Sequence, residues 1–171
     1  MIQAGRRKMV FLAIGVLMAL ASCRYYSFTG GQFSGAKTFS VSFFKPSTPL
    51  ASQVYCQRLT ESLKDLLLSQ SPLRLSDKEG DLKYEGNVTE YKIAPVAIQG
   101  GNETASRNRL SITVKVKYTN TLDQELSFEK SFTKFTDFDA NADLFSIQEN
   151  LWSQINDQLL QEIYNASVGN W

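Results

Sequence analysis

Apolar and polar positions along this chain follow two different periods, and the switches between them mark out its elements. From Lys37 to Phe44, Phe39, Val41 and Phe43 fall on one side and Thr38, Ser40 and Ser42 on the other, which is the two-residue period of a half-buried strand. The period then lengthens. Tyr55, Leu59, Leu63 and Leu66 recur at helical spacing, Thr48-Pro49 opens that helix as hydroxyl cap and first-turn proline, and the Ser71-Pro72 step ends it. After Gly80 a strand runs from Asp81 to Tyr91 with Leu82, Tyr84 and Val88 on its apolar side, and Gly86 inside it marks a bulge or a close backbone approach. Ile93 to Arg107, holding Pro95, Gly100, Gly101 and Asn102, reads as a long mobile loop.

The clearest strand comes next: Leu110, Ile112, Val114, Val116 and Tyr118 alternate without a fault against Ser111, Thr113, Lys115, Lys117 and Thr119. Asn120 to Gln124 turns the chain into a strand from Glu125 to Phe135, so an antiparallel hairpin is the natural pairing, although Lys130 between Phe128 and Phe132 muddles its parity. A last helix, about Ala142 to Ala166, carries Leu144, Ile147, Leu151, Ile155, Leu159 and Ile163 on one stripe and turns Gln148, Gln154, Asp157 and Gln161 away. One apolar stripe per helix and one apolar face per strand predict an α+β fold: two helices packed on one face of a mixed, roughly four-stranded sheet, with the other face open.

One further apolar run, Met9 to Leu20, follows Arg6, Arg7 and Lys8 and is too short to span a bilayer, which takes about 20 residues. It ends in Leu20-Ala21-Ser22-Cys23, small residues before a cysteine, in the order of a bacterial lipoprotein signal; a plain secretory signal is the competing reading. The expected organisation is a signal peptide over residues 1–22, a lipid-anchored lead-in over 23–36 and a single domain over 37–171. Cys23 would carry diacylglycerol and an N-acyl chain (palmitate), and two or more chains anchor stably where one does so marginally. Arg24 stands where an Asp commonly retains lipoproteins at the inner membrane, so the expected location is the periplasmic face of the outer membrane.

Removing residues 1–22 takes three of the 18 basic residues and none of the 17 acidic ones, leaving 149 residues of net charge −2, so no global basicity speaks for nucleic acid. With Cys23 a thioether, Cys56 has no disulfide partner, and its place beside Leu59 and Leu63 on a helix makes it a buried apolar thiol. The chain has no histidine, the commonest general base and metal ligand. Asp137 with Asp139, and Glu79 with Asp81, are close carboxylate pairs, but one precedes a helix and the other flanks Gly80, where acidic residues serve as caps and turn formers. No enzyme, cofactor or metal is expected.

The segments Tyr26-Ser27-Phe28-Thr29-Gly30, Gly80-Asp81-Leu82-Lys83-Tyr84-Glu85-Gly86, Asn108-Arg109-Leu110-Ser111-Ile112 and Asn165 to Trp171 together resemble a divergent branch of the lipopolysaccharide-assembly lipoproteins, the LptE family. The resemblance runs in matching order over nearly all of the chain after Cys23. It implies an outer-membrane lipoprotein that helps the LptD β-barrel assemble and plugs it while lipopolysaccharide passes to the surface, with a two-helix, four-strand α+β fold. Arg107, Arg109, Lys115 and Lys117 cluster on the open face and its adjoining loop, and are candidate contacts to lipopolysaccharide or the barrel; an ordinary solvated strand face is the competing reading. Tyr25, Tyr26 and Phe28 beside the anchor are candidate membrane-proximal contacts, with packing against the domain or barrel wall as the alternative. The alternative function is an outer-membrane adaptor that activates a peptidoglycan synthase or serves a secretion pore. The short tether, Arg24 to Ala36, favours a partner in the same membrane.

Overall fold

The segment with the most regular alternation has a strand on each side of it in the computed structural model, which describes residues 33, 35–96 and 106–169. This is β5 (Arg107–Asn120), antiparallel to β4 (Leu82–Val96) on one side and to β6 (Phe128–Asp139) on the other. Beyond β4 the sheet turns parallel: β1 (Thr38–Val41) and then β2 (Lys45–Pro46) lie along β4, and the two-residue β3 (Arg74–Leu75) flanks β1. Helix α1 (Gln53–Gln70) connects β2 to β3, and α2 (Leu144–Ser167) follows β6. The architecture is therefore α+β as expected, with six strands among the described residues because the first predicted strand is split and a short edge strand is added.

Burial explains which face the helices cover. Leu110, Ile112, Val114 and Val116 of β5, with Leu82, Tyr84 and Val88 of β4, are fully enclosed, and above them lie Leu59, Leu63 and Leu67 of α1 and Ile155, Leu159 and Ile163 of α2. Each such side chain contributes about 1.5–3 kcal/mol on leaving water, so this layer dominates the stability of the domain. The helices run in the same direction. The Tyr55 hydroxyl donates to Asn156 Oδ1 at 2.8 Å, and at the far end of α1 the Tyr164 hydroxyl donates to the Gln70 carbonyl at 2.8 Å.

The first strand departs from its expected parity. Val41 pairs with Tyr84 but Lys45 with Asn87, so four steps on one strand match three on the other. One extra residue reverses every side chain beyond it. Phe43, expected inside, is 46% exposed, and Phe44 is completely buried. Gly86 makes room for it, since a Cβ there would sit 2.6 Å from the Phe44 ring. Gly86 is thus a close approach, and the irregularity in β4 lies instead between Val88 and Glu90.

Helix α1 starts later than Thr48-Pro49 implies. Those residues form a turn, with Ala51 N–H donating to the Thr48 carbonyl at 3.1 Å, and Ser52 caps the helix by accepting from Tyr55 N–H at 3.1 Å. Leu67 occupies the core position and Leu66 only borders it. The expected loop from Ile93 to Arg107 also shortens, because Ile93–Val96 pairs with Arg107–Leu110; residues 97–105 lie outside the described ones. Pro95 is tolerated because, among the described residues, β4 there pairs with β5 alone, an edge-like position where a missing N–H costs little. The muddled parity of β6 has a simple origin: it is an edge strand. Lys134 reaches Glu162 of α2 at 2.9 Å and the Lys130 ammonium lies 5.1 Å from the Phe132 ring centre, so both charges leave the helix side past the sheet margin.

Candidate functional site: the open sheet face

The face opposite the helices carries the alternate residues of β4, β5 and β6, and the strand register sets them in rows. Lys117 lies between Glu85 and Glu129, Lys115 between Asn87 and Ser131, Thr113 between Glu90 and Thr133, Arg109 between Ala94 and Asp137, and Arg107 between Val96 and Asp139. The four basic candidates therefore do share one face, along the full length of β5.

Their charges are mostly answered by the neighbouring strand. Arg109 makes a two-pronged contact with Asp137, Nε to Oδ1 at 2.7 Å and Nη2 to Oδ2 at 2.9 Å, and its guanidinium lies 3.8 Å from the centre of the Phe135 ring. That hydrogen bonding raises the Arg109 pKa and holds the Asp137 carboxyl below its usual range. Lys115 pairs with Glu129, whose carboxyl is lowered first by that hydrogen bond and further by Lys117. Arg107 Nη2 donates to the Asp137 backbone carbonyl at 3.1 Å. Among the described residues neither Arg107 nor Lys117 belongs to an ion pair. Thr113 completes the centre of the face by bonding Glu90 Oε2 at 3.0 Å and the Thr133 hydroxyl at 2.9 Å.

Other sequence candidates are placed apart from this face or beyond reach. Cys23, Tyr25, Tyr26 and Phe28 lie outside the described residues. Cys56 is enclosed in the core and burial pushes its thiol up to about 11, so it stays protonated. Asp81 accepts from Lys37 N–H at 2.9 Å, Thr38 N–H at 3.0 Å and the Thr38 hydroxyl at 2.9 Å, and these bonds lower its pKa. Glu79 pairs with Lys83, and Asp139 accepts from Asn141 N–H at 2.7 Å in a turn ahead of α2. The two carboxylate pairs are thus separated into structural roles. Among the described residues no group of three or more Asp, Glu or Cys side chains is placed to hold a metal.

What single-strand reading missed is the set of counter-charges: Glu85, Glu129 and Asp137 flank the basic row only once the register is known, and Phe135 and Phe43 join the open face from segments of unclear or reversed parity.

Solved structures share this architecture at low identity. A hypothetical protein from Chlamydia trachomatis matches with a TM-score of 0.53 at 8% identity, covering 78% of this chain and 99% of that one. A protein from Xanthomonas campestris matches with a TM-score of 0.50 at 12% identity, over 77% of this chain and 82% of that one. A minor lipoprotein from Acinetobacter baumannii matches with a TM-score of 0.48 at 19% identity, over 74% of this chain and 88% of that one. No curated protein sequence matches significantly. Residues 36–167, which hold both helices and every strand described above, match the family LptE: Lipopolysaccharide-assembly, and the chain therefore belongs to the LptE family of non-enzymatic lipopolysaccharide-assembly proteins.

Proposed function

We propose that this chain is an outer-membrane lipoprotein, held at the periplasmic face by acyl chains on Cys23, that helps an LptD β-barrel assemble and plugs it during lipopolysaccharide export. Family membership over residues 36–167 carries the reading. Two further features support it. The segment from Arg6 to Cys23 has the grammar of a lipoprotein signal. The open face presents hydroxyls and cross-paired charges over the long strands β4, β5 and β6, a surface that suits the polar lumen of a wide barrel because its groups are either satisfied or free to bond a polar wall.

Within that face the four basic residues divide into two roles. Arg109 and Lys115 are committed to carboxylates and organise the surface, while Arg107 and Lys117 keep the charge that a phosphate-bearing glycolipid or an acidic lumen group would meet. Tyr25, Tyr26 and Phe28 are assigned to the headgroup region beside the anchor.

The deciding experiment is a mild-detergent pull-down of the C-terminally tagged chain from outer membranes. Stoichiometric recovery of LptD is expected; recovery of a peptidoglycan synthase or secretion pore without it would transfer the chain to the adaptor reading. Cys23→Ala is expected to move the protein from the membrane to the soluble fraction. Reversing Arg107 and Lys117 to Glu is expected to weaken glycolipid binding more than neutralising Arg109 and Lys115, and equal loss in both pairs would remove the division of roles.

A further inference from the structure

The extra residue between Val41 and Lys45 does more than bury Phe44. It also turns Phe43 outward, where the side chain forms one wall of a cavity on the open sheet face. The cavity has about 260 Å³ of room, and Ser42, Lys45, Glu85 and Asn87 form its other walls. Gly86 lines it with backbone alone, since the Cβ it lacks would point to the helix side, where Phe44 fills the space. Strand register brings the walls together: Lys45 lies beside Asn87 across β2 and β4, and Glu85 and Asn87 are alternate residues on one side of β4.

These polar walls are uncommitted. Among the described residues Lys45 and Glu85 belong to no ion pair, and the side chains of Ser42 and Asn87 make no hydrogen bond to protein. Farther along the same face Glu90, Thr113 and Thr133 bond one another instead. The cavity therefore offers a donor in Lys45, an acceptor in Glu85 and two groups that do both, Ser42 and Asn87, around one apolar ring.

That combination narrows the ligand. One wall charge of each sign leaves no net attraction for a phosphate, which Glu85 repels, or for a cation, which Lys45 repels. An acyl chain would cover four polar groups without bonding them. A sugar ring fits on every side: its C–H face carries a weak positive charge that the electron-rich face of a phenyl ring attracts, and its hydroxyls donate and accept at the rim. The volume lies below the about 300–1,000 Å³ of sites that enclose drug-sized ligands, so one ring is held and the rest of the glycan stays outside.

We propose that this cavity binds one neutral pyranose ring of a glycan, stacked on Phe43, with its hydroxyls shared among Ser42, Lys45, Glu85 and Asn87. The site does not depend on the barrel reading, because a free saccharide reaches it with no barrel present.

The test is a titration of the full chain, in a detergent without a sugar headgroup, followed by the Phe43 ring and Asn87 side-chain amide resonances. Two probes are used: dephosphorylated, delipidated core oligosaccharide of lipopolysaccharide, and the N-acetylglucosamine–N-acetylmuramic acid disaccharide of the cell wall. Saturable shifts are expected with at least one of them, with about tenfold weaker binding to Phe43→Ala and about threefold weaker binding to Asn87→Ala. Phe135→Ala, which removes the other exposed ring of the same face, is expected to leave binding unchanged. All three variants alter exposed side chains, and an unchanged backbone amide spectrum away from the cavity verifies their fold. Binding of the core oligosaccharide alone would assign the ring to lipopolysaccharide, binding of the disaccharide alone to the cell wall, and binding of both to a site that reads the ring whatever its source. No saturable shift with either glycan, unaltered affinity in Phe43→Ala, equal loss in Phe135→Ala, or displacement of the glycan by inorganic phosphate would each overturn the proposal.

Discussion

Phe43 and Phe44 are chemically identical neighbours with opposite fates, and they define the contrast between the two faces of this sheet. Phe44 is enclosed beside Gly86 under α1, where its N–H also donates to Thr60 Oγ1 at 3.0 Å, while Phe43 stands on the open side near Lys45 and Glu85. The helix face is held by dense apolar contact and tolerates no vacancy. The open face is held by cross-strand hydrogen bonds and ion pairs that water can replace at little cost. Stability is thus concentrated on one side of the sheet, which leaves the other side free to serve as a surface.

The sharpest way to break that contrast is to truncate the two rings separately. Phe44→Ala is expected to cost about 3–5 kcal/mol in denaturant unfolding, whereas Phe43→Ala should leave the midpoint nearly unchanged. Comparable losses would mean that the parity reversal between Val41 and Lys45 is absent in solution. Gly86→Ala comes next: its new Cβ meets the Phe44 ring at 2.6 Å, and such overpacking typically costs about 1–3 kcal/mol. Combining it with Phe44→Leu should recover part of that loss, since the two sites share one contact. Independent, additive effects would show that the glycine is needed for another reason.

Acid titration gives the smallest effect and belongs to the wet groups. Asp81, Glu129 and Asp137 all have carboxyl pKa values lowered in the fold by hydrogen bonds or ion pairs. Their contribution is therefore complete above the unfolded carboxylate values of about 4 and fades as pH falls through the lower folded values. Melting temperature is expected to hold level from about pH 6 and to decline only below about pH 4, and Asp81→Asn should flatten part of that decline. A fall that begins near neutrality would implicate different groups.

Much of this was legible in the chain, for reasons that differ by region. β5 is legible almost residue by residue because it has a neighbour on each edge, one helix-covered face and one wet face, so its alternation is uninterrupted. α2 is legible to within two residues because twenty-four residues of stripe average out local exceptions. β6 was harder, since an edge strand lets Lys130 and Lys134 occupy inward positions and escape past the margin. The basic row on β5 was visible from period alone, yet its partners Glu129 and Asp137 were not, because they sit more than a dozen residues away and meet it only through the hairpin register.

The sequence by itself determined the class of the fold, the two helical stripes, the wet and dry sides of β5 and the absence of histidine chemistry, because period and composition are local properties. Tertiary structure alone decided that one extra residue after Val41 turns Phe44 inward, that Ser52 and not Thr48 caps the first helix, and that Arg109 and Lys115 are neutralised while Lys117 is left without an ion pair among the described residues. Those outcomes depend on which distant backbone lies alongside, and packing selects among registers that the local pattern leaves equally allowed.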